Sequence, residues 1–198
     1  MIVGVLLAAG AGTRFGGDKL LARLPDGTPI GVRAARTLRS AVDRGLAVVR
    51  SGDVTLARLL EAEGLDVAVF SDADEGMGAS LAFGVGAAPD ADGWIVALAD
   101  MPFVRRETVE TVVGLLRAGA WIVAPCRQGR RGHPVGFSRG LFPELIRLGG
   151  DRGARVLLER YPSRVETFES EDEGILLDVD TLRDISTVTR GVSDKFLP

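Results

Sequence analysis

Lysine is nearly absent from this chain of 198 residues: among its 24 basic residues, only Lys19 and Lys195 are lysines. A single histidine, His133, argues against a histidine-rich metal site or a Ser-His-Asp triad, and a single cysteine, Cys126, excludes an internal disulfide framework. The net charge of −3 lacks the basic excess that general nucleic-acid binding requires. No apolar run approaches the roughly 20 residues that cross a bilayer. We therefore expect a cytoplasmic protein without nucleic-acid or membrane partners.

Glycine, in contrast, is abundant, with 26 of the 198 residues, about twice the usual share. Apolar residues make up 46% of the chain, enough to bury a core, and no linker-like stretch divides it. The start, MIVGVLLAAGAG, resembles the apolar part of a signal peptide but lacks the basic segment that precedes one, so we interpret it as a buried strand. We expect one domain over residues 1–190 and a loose tail over 191–198.

Short apolar runs alternate with longer periodic segments through most of the chain. Five runs predict strands, at 2–8, 46–50, 66–70, 94–99 and 121–125, and four segments predict helices, at 31–42, 54–63, 76–88 and 105–118. Beyond them we expect a hairpin-like turn at 129–137, short helices at 140–148 and 151–160, and a final strand and helix around 174–187. The alternation predicts βαβ units and hence a three-layer α/β/α sandwich around a mostly parallel, Rossmann-like sheet.

Three segments rich in small or charged residues each follow a predicted strand. LAAGAGTRFGGDK follows the first strand, DADEGMGAS the third and ADMP the fourth. Ligands of open parallel sheets bind at the carboxyl ends of the strands, so the three segments predict a single active site. The first segment combines four glycines with two cations, Arg14 and Lys19. Closely approaching backbone amides and two positive charges are typical of a polyphosphate cradle.

Two familiar phosphate-binding patterns can be compared with this loop. The P-loop pattern does not match this loop. It needs glycine before the lysine and a hydroxyl residue after it, but Asp18 and Leu20 stand at these positions. The spacing of the first glycines matches a loose dinucleotide-binding fingerprint, and Arg50, at the end of the second predicted strand, could serve an NADP-type ligand. An NADP-binding oxidoreductase therefore stays open as an alternative.

Carboxylates end two of the predicted strands. Asp100 follows an apolar strand, where a carboxylate is costly unless it faces a ligand or a metal ion. Facing a cradled triphosphate, it could hold Mg²⁺, which prefers carboxylate and phosphate oxygens. Asp178 and Asp180 are spaced i, i+2, which would place both side chains on one face of the final strand.

The segment LAAGAGTRFGGDKLL (7–21) resembles the signature of nucleotidyltransferases, and Asp18 before the lysine points to the molybdenum-cofactor branch, the MobA-like NTP transferases. The resemblance continues in GMGASLAFGV (76–85), ALADMPF (97–103), GHPVGF (132–137), GDRGARVLL (150–158) and LLDVDT (176–181). It implies the fold of the nucleotide-diphospho-sugar transferases and a Mg²⁺-dependent transfer of CMP from CTP to molybdopterin, with release of pyrophosphate. CTP is favoured because LAAG is typical of the CTP-using members and LAGG of the GTP-using members.

The resemblance also implies roles for individual residues. The catalytic residues would be Arg14, Lys19 and Asp100, and the metal ligands Asp100 and Asp180. The nucleotide would contact Leu7, Ala8, Ala9, Gly10, Ala11, Gly12, Arg14, Lys19, Gly76, Met77, Gly78 and Ser80. The acceptor would contact His133, Asp151, Arg155 and Asp178, with Arg152 beside Arg155 at its phosphate. We expect Arg130 and Arg131 to be solvated turn residues.

These assignments define the expected partners and their competitors. The substrates would be an NTP, CTP in the first place, and a phosphorylated pterin, with a molybdoenzyme as a candidate recipient of the product. Guanylyl transfer and transfer to another small phosphorylated acceptor are the alternatives within the same class. A noncatalytic chaperone that delivers cofactor to a molybdoenzyme is a further alternative, beside the NADP-binding oxidoreductase.

Overall fold

The computed structural model describes residues 1–10, 18–181 and 184. Its strands are β1 (Ile2–Ala8), β2 (Arg44–Arg50), β3 (Asp66–Phe70), β4 (Gly93–Leu98), β5 (Ile122–Arg127), β6 (Arg130–Arg131), β7 (Val135–Ser138) and β8 (Val165–Glu169). Its α-helices are α1 (Ile30–Arg39), α2 (Val54–Ala62), α3 (Met77–Gly86), α4 (Arg106–Arg117), α5 (Phe142–Leu145) and α6 (Arg155–Arg160). Short 3-10 turns cover Lys19–Leu21, Ala73–Glu75, Arg139–Leu141, Pro162–Arg164 and Glu173–Leu176.

The strands form one mixed sheet in the order β3-β2-β1-β4-β7-β5-β6, and β8 also pairs with β5. The first four strands run parallel, with β1 between β2 and β4. β7 is antiparallel to both β4 and β5, and β8 is parallel to β5. An apolar run such as 2–8 suits the centre of such a sheet, because helices cover both faces. The predicted mostly parallel α/β/α sandwich is therefore confirmed.

Two hydrophobic cores lie on the two faces of the sheet, and β1 supplies both by alternation. Val3 and Val5 face the core that α3, α5 and α6 cover. Ile2 and Leu6 face the core that α1, α2 and α4 cover. Within the part of the chain that the structure describes, no helix is long and apolar enough to span a membrane.

The C-terminal part departs from the sequence prediction. No strand forms within 174–181; the chain there makes the turn Glu173–Leu176 and then bonds to loops rather than to a neighbouring strand. The strand prediction was wrong because apolar residues at 175–177 fill the space under those loops. β8 was missed because its sequence, VETFE, is largely exposed at the sheet edge and lacks an apolar run. The helix predicted at 182–187 and the tail at 191–198 lie outside the described residues, apart from residue 184.

Candidate active site

Three charged side chains from separate segments meet at the carboxyl edge of the sheet. The Nζ atom of Lys19 donates hydrogen bonds to Asp100 Oδ2 at 2.8 Å and to Asp180 Oδ1 at 3.0 Å. The Lys19 side chain is only 12% exposed, against 27% for Asp100 and 40% for Asp180. Sequence reasoning named these three residues, and the structure brings them into one cluster, which we call the lysine cluster.

Local structure holds each member of the lysine cluster in place. Lys19 begins the turn Lys19–Leu21, whose two leucines pack against the core beside α1 and α2. Asp100 lies two residues after the last residue of β4, at the end where ligands of parallel sheets bind. The Asp100 carbonyl accepts a hydrogen bond of 2.9 Å from the amide of Val179, whose side chain is fully buried. That bond fixes Asp180, the next residue, beside Asp100.

The residues 172–180, which we call the strap, connect several loops around the site. The buried carboxylate of Asp172 accepts hydrogen bonds from the Arg105 amide, the Thr108 hydroxyl and the Gly174 amide. Gly174 lies so close to the chain that an added Cβ would come within 2.1 Å of the Phe103 carbonyl oxygen. At the far end of the strap, the Asp184 carboxylate accepts from the amide of Asp180 at 2.9 Å. The strap is therefore anchored at both ends, which makes Asp180 a fixed member of the cluster.

The charge of Lys19 follows from two opposing effects on its pKa. Partial burial disfavours the ammonium and lowers the pKa, but the hydrogen bonds and negative charges of Asp100 and Asp180 outweigh burial, so the pKa is raised. Lys19 is consequently a cation at neutral pH. The two carboxylates form a site that selects positive charge.

A cavity of about 350 Å³, which we call the lysine cavity, opens beside this cluster. Its polar lining includes Gly10, Asp18, Lys19, Arg50, Asp53 and Asp100. The Arg50 guanidinium donates hydrogen bonds to the Asp74 carboxylate at 3.0 Å and, more weakly, to the Ala9 carbonyl at 3.4 Å. Burial, with the nearby charge of Asp18, raises the pKa of Asp53. Among the residues that the structure describes, the cavity thus has two cations in its lining, Lys19 and Arg50, with different partners.

A second cavity, of about 470 Å³, lies beside α3 and α6, and we call it the arginine cavity. Its apolar floor comes from Leu7, Leu81, Val96, Leu98 and Phe137, and its polar groups are Arg131, His133, Arg152 and Arg155. Arg152 and Arg155 both bond to Glu159 and are mostly exposed. An apolar lining together with guanidinium groups suits a ligand with a ring and an anionic group.

His133 stands at the inner wall of the arginine cavity. Its amide donates to the Ile175 carbonyl of the strap at 2.9 Å, and its ring bonds to the backbone of Val96. Burial lowers the pKa of the His133 imidazole, more than the Val96 bond and the Asp100 charge raise it, so the ring is neutral at pH 7. Among the described residues, the buried Nδ1 atom has no hydrogen-bond partner.

The predicted nucleotide residues divide into several groups. Gly10 lines the lysine cavity, Leu7 and Met77 line the arginine cavity, and Ala8 and Ala9 are buried at the end of β1. Residues predicted for the nucleotide and for the acceptor thus share the arginine cavity, as a reaction that joins two substrates requires. Three further predicted residues lie outside the described residues: Ala11, Gly12 and Arg14.

The loop before α3 has a structural explanation that sequence reasoning did not anticipate. An added Cβ on Gly76 would come within 2.5 Å of Asp151, and one on Gly78 within 2.5 Å of the Gly149 carbonyl. The Gly78 amide donates to the Gly150 carbonyl at 2.7 Å, and the buried Ser80 hydroxyl bonds to the Gly76 carbonyl within its own helix. These glycines therefore permit close packing of two loops, and their contact with a nucleotide stays a prediction.

The residues predicted to contact the acceptor also fall into two groups. His133, Arg152 and Arg155 lie in the arginine cavity, whereas Asp151 is exposed beside Gly76 and Asp178 is exposed on the strap, outside the lining of both cavities. The structure adds Arg131, which we expected to be merely solvated, to the wall of the arginine cavity. Arg131 ends β6, two residues before His133, and that closeness in sequence was the available signal.

Two related proteins match nearly the whole chain. A protein named nicotine blue oxidoreductase, from Paenarthrobacter nicotinovorans, is 33% identical over 91% of this chain and 93% of its own length. The purine catabolism protein PucB of Bacillus subtilis is 32% identical over 97% of this chain and 98% of its own length. The names of the two relatives differ, so they assign no common substrate.

Solved structures show the same architecture. Rv0371c from Mycobacterium tuberculosis has a TM-score of 0.84 and 30% identity, covering 96% of this chain and 97% of that protein. A second structure of Rv0371c, with a TM-score of 0.80 and 29% identity over 96% and 97% of the two chains, contains manganese. A nucleotidyl transferase from Methanothermobacter thermautotrophicus has a TM-score of 0.82 over 98% and 99% of the two chains, and its 22% identity speaks for the fold alone.

The sequence pattern of one domain family matches most of the chain, over residues 4–165. That stretch includes Lys19, Asp100 and the lining of both cavities, and it ends shortly before the strap. The chain belongs to the family of the MobA-like NTP transferase domain.

Proposed function

We propose that this protein is a Mg²⁺-dependent nucleotidyltransferase that transfers CMP from CTP to molybdopterin and releases pyrophosphate. The observation that carries the proposal is the lysine cluster, in which Lys19, Asp100 and Asp180 meet at the edge of a parallel sheet where ligands bind. In the sequence, the glycine-rich segment directly precedes Lys19. Membership in the MobA-like NTP transferase family supports the class of reaction.

The donor set fits a divalent cation. Asp100 and Asp180 already share one positive charge, the ammonium of Lys19, and their carboxylate oxygens are the ligands that Mg²⁺ prefers. The described residues contain no cluster of three metal-binding side chains, so phosphate oxygens and water would complete the coordination. The manganese in the second Rv0371c structure supports a divalent cation in this family. A bound Mg²⁺ would supply electrostatic stabilisation of charge on the α-phosphate.

The protein's own residues position the substrates and balance their charge. An oxygen of the acceptor phosphate forms a bond to the α-phosphorus of CTP, while the bond from that phosphorus to the bridging oxygen of the β-phosphate breaks. Lys19 stabilises the departing pyrophosphate, with Arg14 as the second cation predicted for the same loop. A phosphate nucleophile is ionised at neutral pH, so the reaction needs no general base. A neutral, buried His133 agrees with that.

The choice of acceptor and of nucleotide rests on different features. The apolar floor of the arginine cavity suits the pterin ring, and Arg131, Arg152 and Arg155 suit its phosphate. CTP is preferred over GTP because Ala9, buried at the end of β1, gives the LAAG version of the signature. Guanylyl transfer and another small phosphorylated acceptor stay the alternatives within the class.

The decisive experiment measures pyrophosphate release with CTP, GTP, ATP and UTP, each with molybdopterin and Mg²⁺. We expect release with CTP that requires both molybdopterin and the metal ion. A preference for GTP would overturn the choice of nucleotide, and no release with any of the four would overturn nucleotidyl transfer. Formation of a product without release of pyrophosphate would also overturn nucleotidyl transfer.

A second candidate is an oxidoreductase that uses a nicotinamide cofactor. The name of the relative from Paenarthrobacter nicotinovorans favours it, and so does Arg50, which lines the lysine cavity together with Gly10. In this reaction, a hydride would pass from NADPH to an oxidised dye, which also takes up a proton. Oxidation of NADPH in the presence of nicotine blue, with no need for an NTP, would favour this candidate over nucleotidyl transfer.

We also propose that residues 1–190 act as one domain in the cytoplasm. Both relatives align over nearly their whole length with nearly all of this chain, which supports a single unit. A molybdoenzyme is the proposed recipient of the cytidylylated product. A noncatalytic chaperone would bind the same recipient, but its function in cells would survive an Asp100→Ala substitution.

A further inference from the structure

The two carboxylates suited to a divalent cation are already occupied by a cation of the protein itself. Lys19 Nζ lies 2.8 Å from Asp100 and 3.0 Å from Asp180, and it is the most buried member of the cluster. An ammonium at hydrogen-bond distance from both carboxylates occupies the position that a metal ion bound to them would need. A metal ion that approaches the ligand-free protein must therefore displace Lys19.

We propose that Lys19 is an internal counter-ion that keeps Asp100 and Asp180 paired in the ligand-free protein and releases them when its ammonium moves to the phosphates of the nucleotide. The divalent cation then binds together with the nucleotide and not before it. This inference rests on the proposed function, because the triphosphate is the ligand that draws Lys19 away.

The structure makes Lys19 the mobile partner and the two carboxylates the fixed ones. Asp180 sits on the strap, held by the Val179 bond to the Asp100 backbone and by the Asp184 carboxylate. Lys19 carries its charge on a flexible four-carbon stem, which lets the ammonium move without moving the backbone. The lysine cavity of about 350 Å³ lies directly beside it. Movement of this one side chain breaks the ammonium's hydrogen bonds to both carboxylates.

The charges explain why release and metal binding are coupled. If Lys19 left alone, two neighbouring carboxylates in a partly buried site would lose its positive charge, which is unfavourable. If a metal ion bound alone, it would displace the Lys19 ammonium from its two carboxylate partners. A nucleotide and a metal ion together satisfy both sides, because the phosphates receive the ammonium and the carboxylates receive the metal. By linkage, each ligand must then raise the affinity for the other by the same factor.

Arginine would serve this role less well, which agrees with the composition. The chain uses arginine for almost every other basic residue and keeps lysine at position 19. A guanidinium binds carboxylates through a rigid planar fork, whereas an ammonium is a compact point charge that exchanges partners readily. Arg50, the other cation of the lysine cavity, bonds to Asp74 and Ala9 and so does not hold the carboxylate pair.

Binding of Mn²⁺, followed by electron paramagnetic resonance without any acceptor, tests the inference. Wild type, Lys19→Gln and Arg50→Gln are titrated with Mn²⁺ in the absence and presence of CTP. Without CTP, we expect Lys19→Gln to bind Mn²⁺ about tenfold or more tightly than wild type, and wild type to gain a similar factor from CTP. Arg50→Gln removes a cation from the same cavity without freeing the pair, so its Mn²⁺ affinity should stay close to that of wild type.

The outcomes separate this inference from the proposed function. Equal Mn²⁺ affinity of wild type and Lys19→Gln without CTP would overturn the counter-ion role and leave the metal site standing. No bound Mn²⁺ on any of the three proteins, even with CTP, would overturn the metal-dependent function and this inference with it.

A measurement on a chain with native Lys19 covers the case in which Lys19→Gln does not fold. Lys195→Arg leaves Lys19 as the only lysine of the chain, so ¹⁵Nζ-labelled protein gives a single lysine signal. We expect CTP with Mg²⁺ to shift this signal and the same concentration of Mg²⁺ alone to leave it in place. A shift with Mg²⁺ alone would show that the metal ion enters before the nucleotide, and it would overturn the inference.

Discussion

At the lysine cluster, three charged side chains from three segments contact one another, whereas in the arginine cavity Arg152 and Arg155 are mostly exposed beside an apolar lining. Lys19 is 12% exposed and has two carboxylate partners. Arg155 is 76% exposed, and it pairs with Glu159, one turn along the same helix. Bond-making chemistry needs charges fixed in advance, while binding tolerates side chains that adjust to the ligand. The difference agrees with the proposal that the reaction takes place at the lysine cluster and that the arginine cavity recognises the acceptor.

The strap joins the two regions and keeps their spacing. Ile175 receives the amide hydrogen bond of His133 on the side of the arginine cavity, and Asp180 receives the ammonium of Lys19 on the other side. Gly132 also packs against the strap so tightly that an added Cβ would come within 2.3 Å of the Ile175 carbonyl oxygen. A change in the strap should therefore affect both cavities, while a change within one cavity should leave the other intact.

The largest effect is expected for Asp100→Asn, which keeps the shape of the side chain and removes its charge. Lys19 would lose one of its two anionic partners, and the proposed metal site would lose one of its two carboxylates. We expect the rate of pyrophosphate release to fall by about 100-fold or more, with the folded structure retained. Steady-state kinetics with CTP and molybdopterin, together with the melting temperature, provide the measurement.

The matched control for that prediction is Asp178→Asn, on the strap two residues before Asp180. Asp178 is exposed and lines neither cavity, so its amide variant should retain activity within about twofold. Loss of activity to the same extent in both variants would contradict a special role of the lysine cluster. It would mean that activity depends on the overall negative charge at this edge of the sheet.

Asp172→Ala should have the second largest effect, on stability rather than on chemistry. The substitution leaves the donors of Arg105, Thr108 and Gly174 without their buried acceptor. We expect a loss of about 3 kcal/mol in the free energy of unfolding, measured by denaturant titration. The exposed Asp178→Ala on the same strap should cost less than about 0.5 kcal/mol. Similar losses for both would mean that the Asp172 bonds do not anchor the strap.

The sequence allowed the parallel half of the fold and the lysine cluster to be predicted, for a common physical reason. Buried parallel strands are recognisable in the sequence as apolar runs. A charged residue directly after such a run is costly unless it serves a ligand, and this argument identified Asp100. The edge strand β8 has no such run, because most of it faces solvent. The packing of Gly76 and Gly78 against the loop at 149–151, and the place of Arg131 in the arginine cavity, were not predicted, because they depend on tertiary contacts rather than on local pattern.

Arg155→Ala tests the binding character of the arginine cavity and should have a smaller effect. If Arg155 contacts the acceptor phosphate, the KM for molybdopterin should rise about tenfold while kcat stays near that of wild type. Arg160→Ala, an exposed arginine at the other end of α6 and outside the cavity lining, is the matched control and should leave KM unchanged. A fall in kcat without a change in KM would mean that Arg155 acts in the chemical step, and it would contradict the distinction between the two cavities.

The smallest expected effect concerns the pH dependence of stability at His133, which links the strap to the arginine cavity. Burial lowers its pKa in the folded protein, so below about pH 6.5 the unfolded chain binds a proton that the folded protein does not. Stability should therefore fall as the pH drops from 7.5 to 5.5, and the drop in melting temperature should be smaller in His133→Gln, by a few degrees at most. Melting curves of both proteins at the two pH values measure this difference. An equal drop in both would mean that His133 takes up its proton in the folded protein as readily as in the unfolded chain, and that its ring is open to solvent rather than held between the strap and Val96.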